Sequence, residues 1–110
     1  MAFQEQVEKL VQKLTGLTQE GKVLWEQTVD ERTFLASVAS VVISVRELPP
    51  YDAPDYQFTI RNAEGRVLDE AIARGGDEWT RLRGLYEMAR RQALHVDEAL
   101  SDILASLERI

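Results

Sequence analysis

The sequence predicts an α+β fold: an N-terminal helix, an antiparallel β-meander of three to five strands, and a long C-terminal helix, or two in-phase helices, packed on one sheet face. Three observations predict it. Apolar residues recur every three or four positions at both ends of the chain, which is the helical period. They alternate with polar residues through the middle, as half-buried strands require. Short segments rich in Gly, Pro, Asp and Asn separate these patterns, and such residues favour turns.

The first helix reads over residues 3–17, with Phe3, Val7, Leu10, Leu14 and Leu17 on one stripe and Val11 widening it. Glu5 and Lys9 form an i,i+4 pair in the favourable order, and Gly21 marks the end. Val23 and Trp25 then alternate with other residues, and Asp30-Glu31-Arg32 reads as a turn. Phe34, Ala36 and Val38 alternate next, followed by Val41, Ile43 and Val45. Branched and aromatic side chains favour strands here, although the Ala and Leu content leaves a helix over 33–46 open.

Residues 47–55, ELPPYDAPD, hold all three prolines and read as a loop or sheet edge. Tyr56, Phe58 and Ile60 alternate beyond it, and Asn62-Ala63-Glu64-Gly65 closes a hairpin into Arg66-Val67-Leu68. Gly75-Gly76 ends the sheet region, with Asp77 as the expected N-cap. One apolar phase then runs through Trp79, Leu82, Tyr86, Ala89, Ala93, Val96, Leu100, Ile103, Leu107 and Ile110. Arg83, Glu87 and Arg91 would form a ladder on the opposite side. A break near His95 would make two helices of one.

With 110 residues, 45% of them hydrophobic, the chain suits a single domain, residues 1–110, with a core of its own. The formal net charge of −6 includes no basic stripe, so neither nucleic acid nor an anionic membrane is an expected partner. There is no cysteine, no apolar run of membrane-spanning length and no leader-like N-terminus, which suits a cytoplasmic protein.

Chemistry is sparsely signalled. His95 is the only histidine and has no ligand or acid–base set around it in sequence. Asp52 and Asp55 lack the alternation and glycine of a calcium loop. Ser37, Ser40, Ser44, Ser101 and Ser106 fit no nucleophile motif, and no phosphate-binding glycine loop is present. The expectation is therefore a protein that is not an enzyme, with no catalytic, cofactor or metal residues. Trp25 and Trp79 read as core.

The run GKVLWEQTVDERTFLASVASVVISV, with LYEMARRQALHVDEALSDILASL later, resembles a group of short bacterial cytosolic proteins. That group pairs a GKxxWExT segment with YExARRxALxVDExL, here Gly21, Lys22, Trp25, Glu26 and Thr28, then Tyr86 through Leu104. The resemblance implies a bacterial cytosolic origin and carries no catalytic residue.

What stands out is an excess of apolar helix. Residues 79–110 would span roughly 48 Å as one helix, more than a domain of this size covers. Leu100 is expected to bury as core, and Leu104, Leu107 and Ile110 to meet another chain. Tyr51 and Tyr56, beside the prolines, are further interface candidates. The function expected is a non-enzymatic protein-interaction module, either a homo-oligomer or an accessory subunit of a bacterial multi-gene system. The alternative is a small-ligand or metal-sensing domain built on the Asp52–Tyr56 loop.

Overall fold

The computed structural model describes residues 4–110, so Phe3 of the expected first helix lies outside the described residues. Helix α1 (Glu5–Gln19) buries Val7, Val11 and Leu14, with Leu10 and Leu17 partly covered, as its stripe requires. The Glu5–Lys9 pair closes at 3.3 Å on the open surface. Gly21 ends the helix in the left-handed region, φ +73°. Its amide donates to the Thr18 carbonyl (3.1 Å) and that of Lys22 to the Leu17 carbonyl (2.9 Å), satisfying the last turn.

Five strands follow: β1 (Glu26–Gln27), β2 (Thr33–Val38), β3 (Val41–Leu48), β4 (Asp55–Asn62) and β5 (Val67–Ala73). They form one antiparallel meander in chain order, which settles residues 33–46 as a β-hairpin. Pleating sends alternate side chains to one face, and the register aligns Phe34, Val45, Phe58 and Ala71 across it. The expected turns are present. The Asp30 carboxylate accepts from the Arg32 amide (3.0 Å) and the Thr33 hydroxyl (2.9 Å), and these bonds hold its pKa below the usual value. Gly65 takes φ +86° at the β4–β5 turn, where a side chain would be strained.

Val23 and Trp25 are buried but lie outside any strand, because β1 is only two residues long. Gln92 supplies the hydrogen bonds that a strand would have made. Its side-chain amide donates to the Val23 carbonyl (2.9 Å), and its oxygen accepts from the Trp25 amide. The Trp25 indole donates to the Thr18 hydroxyl at 3.0 Å. Replacing Gln92 by Ala should therefore cost about 1–3 kcal/mol in denaturant unfolding, since two backbone groups lose their partner.

Helix α2 (Gly76–Ala93) begins one residue before Asp77, so Gly75 is the N-cap, without a side-chain cap bond. Asp77 instead joins Glu78 in the first turn, where a negative charge favours the helix dipole. Leu82, Leu85, Tyr86, Ala89 and Ala93 are buried, and α2 packs on both the sheet and α1. Arg81 pairs with Glu8 across the two helices. The expected ladder does not form: Arg83 lies 5.4 Å from the Trp79 ring centroid, and Arg91 pairs with Asp97 at 2.6 Å.

The C-terminal phase breaks at His95, whose left-handed backbone (φ 53°) separates α2 from α3 (Val96–Glu108). The α+β architecture is thus as expected, with two C-terminal helices. Leu100, expected in the core, is instead 48% exposed, and no residue of α3 is buried. A continuous phase keeps one face only along a continuous helix, and the left-handed residue redirects the chain. Among the described elements α3 meets α2 alone. The radius of gyration is 15.2 Å and the long dimension 52 Å. A globule of this length would have a radius of about 13 Å.

Candidate functional site

Two features of the surface could engage another molecule: a pair of clefts beside α2, and the open face of α3. The clefts arise where β3 runs past the core. Val41, Ile43 and Val45 point inward, so the pleat also points Glu47 inward, at the end of the sheet. Its carboxylate pairs with Arg32 and accepts from the Tyr56 hydroxyl at 3.3 Å. The Arg32 guanidinium in turn stacks 3.5 Å from the Tyr51 ring centroid.

On one side of Glu47 lies a cleft of about 640 Å³, flanked by Gln27, Asp30, Arg32, Tyr86 and Arg90. On the other lies one of about 610 Å³, flanked by Tyr51, Asp52, Arg74, Trp79 and Arg83. Glu47 and Glu87 line both. Tyr86 sits between the rings of Phe34 (5.6 Å) and Tyr56 (5.2 Å). Burial, followed by the nearby charges of Glu47 and Glu87, pushes its phenol up to about 12, and the same causes raise Tyr56.

This has a consequence for stability. The Tyr86 phenol ionises near pH 10 in the unfolded chain but near pH 12 in the folded one. Between these values the unfolded state holds fewer protons, so stability falls as pH rises. Its contribution is complete below pH 10. Urea unfolding of Tyr86→Phe should show a shallower loss of stability from about pH 10 to 12 than the parent chain, with a residual slope from Tyr56.

The clefts are lined mainly by charged and aromatic side chains. Among the described residues, no group of three His, Cys, Asp or Glu side chains is placed to hold a metal ion. His95 is largely exposed, 3.4 Å from Glu98. Of the loop candidates, Tyr51 is exposed, whereas Tyr56 is a core residue at 2% exposure. Its ring packs against Trp79 and Tyr86, which removes it from the free surface.

The α3 candidates lie together. Leu104 (61% exposed) and Leu107 (58%) share the α3 surface with Leu100 and Ile103 (55%), and Ile110 (99%) follows two residues beyond the end of the helix. Val96, Leu100, Ile103 and Leu107 follow steps of four, three and four, the a/d seam of a helix that pairs with another helix, and Ile110 continues the spacing just past the helix end. By phase alone, Leu100 and Ile103 are indistinguishable from the core-facing positions of α2. No helix is long and apolar enough to cross a membrane among the described residues. Comparison with protein-family models, curated proteins and solved structures finds no match.

Proposed function

We propose that this chain is a non-enzymatic protein-interaction module of the bacterial cytoplasm, acting as a homo-oligomer or as an accessory subunit of a multi-gene system. The observation that carries the reading is α3, a helix with an apolar seam and no buried residue. An isolated helix of 13 residues is marginal in water, because nucleation is costly and stability comes chiefly from packing. A second chain on the seam would supply that packing. Tyr51 and the clefts beside Glu47 offer a polar rim nearby.

Light scattering of the purified chain at micromolar concentration, together with binding assays against products of adjacent genes, tests the reading. A strict monomer that binds none of those products would refute it. A second reading, a small-ligand site, is supported by the cleft beside the Asp52–Tyr56 loop. A ligand at about 100 times its dissociation constant should add ~2.7 kcal/mol in thermal-shift screening, and no response across a broad panel would remove this reading.

A further inference from the structure

We infer that the occupant of the α3 seam is the α3 helix of a second copy of this chain, lying antiparallel across a two-fold axis that crosses the seam at the level of residue 105. This rests on the interaction reading above and names its partner. The placement of charge on α3 leaves a like partner unopposed. In a paired helix the positions flanking the seam select the partner by charge. Here they are Ala99 and Ser106 on one flank and Asp97 and Leu104 on the other, so only Asp97 is charged. Glu98, Asp102, Glu108 and Arg109 lie away from the seam. A net charge of −6 per chain thus puts little like-charge repulsion into the contact.

The area also fits. Leu100, Ile103, Leu104, Leu107 and Ile110 are each between 48% and 99% exposed. Together they leave on the order of 500 Å² of apolar surface per chain, close to the apolar share of the ~800 Å² per partner in a standard dimer interface.

Orientation follows from the spacing. In an antiparallel pair, Ile103 meets the partner's Leu107, and Leu100 lies level with the partner's chain end just past α3, where Ile110 follows, with the same two layers repeated across the axis. Leu104, 61% exposed in its own chain, meets its own copy beside the axis. Each α3 N-terminus, with Asp97 and Glu98, then lies at the far end from the other, and the helix dipoles oppose. A parallel pair would bring these acids and both bodies to one end.

The test uses the full chain, which contains no cysteine, so an introduced thiol is unique. Light scattering of the parent should give the dimer mass. A short bismaleimide should then join Leu104→Cys chains efficiently. It should not join Leu100→Cys chains, whose residues would lie about 15 Å apart along the axis. Cross-linking of Leu100→Cys at the Leu104→Cys level would mean a parallel pair and overturn the inference. A monomeric parent would overturn it as well. If that monomer still bound a product of an adjacent gene, the interaction reading would survive, and if it bound none, both would fall.

Discussion

Phe58→Ala should be the most damaging single core truncation, costing about 3–5 kcal/mol in urea unfolding. Phe58 is 1% exposed and sits on β4, with Val45 beside it on β3 and Ala71 on β5. Removing the ring opens a cavity in the cross-strand row covered by α2, where neighbours already in strands relax little. Total stability for a domain of this kind is about 5–15 kcal/mol, so the loss is a large share of it. In a thermal melt it corresponds to a drop of about 15–25 °C. Leu100→Ala is the control. On the exposed α3 it should move monomer stability by no more than ~0.5 kcal/mol. A loss from Leu100→Ala comparable to that from Phe58→Ala, at concentrations where the chain is monomeric, would mean that α3 docks on its own domain.

Leu107→Asp should have the opposite profile, leaving the monomer folded and abolishing assembly. Leu107 is 58% exposed in the free chain, so a carboxylate there stays hydrated and costs little before association. In the paired state it would bury an unpartnered charge against the partner's Ile103 and remove the apolar contact. Affinity should weaken at least about 100-fold, equivalent to ~2.7 kcal/mol. Sedimentation velocity and circular dichroism on the same samples separate the two effects. A variant that still assembles like the parent would place the interface elsewhere, and one that unfolds would place Leu107 in the core.

Much of the fold can be read in the residues because local and global preferences agree there. The stripe of α1, the alternation over Phe34 to Val45 and the Asn62–Gly65 turn each specify the element that forms. Two features could not be read this way. Val23 and Trp25 alternate as a strand would, but their hydrogen bonds go to Gln92, 69 and 67 residues distant. Leu100 shares its phase with Tyr86, and only the backbone at His95 separates a core-facing helix from an open one. His at a left-handed position carries no mark in a hydrophobic pattern, unlike Gly21 or Gly65.

The candidate sites divide in the same manner. Leu104, Leu107 and Ile110 are legible as excess apolar helix, and they stay exposed among the described residues. Glu47 was hidden by the proline segment that follows it, although extending the alternation of Val41, Ile43 and Val45 by one step would have pointed it inward. Tyr56 reads as a surface residue for a related reason. The prolines suggest a loop reaching the tyrosine, whereas β4 begins at Asp55 and turns its ring into the core.

Hydrogen exchange read by mass spectrometry over residues 96–108, at protein concentrations from nanomolar to about 100 µM, tests the central claim most directly. A helix uncovered by its own domain and covered by a second copy should exchange almost freely when dilute. It should become protected as the concentration rises, while α2 and the sheet stay protected throughout. Protection of α3 equal to that of α2 at every concentration, or no protection even at the highest, would contradict it.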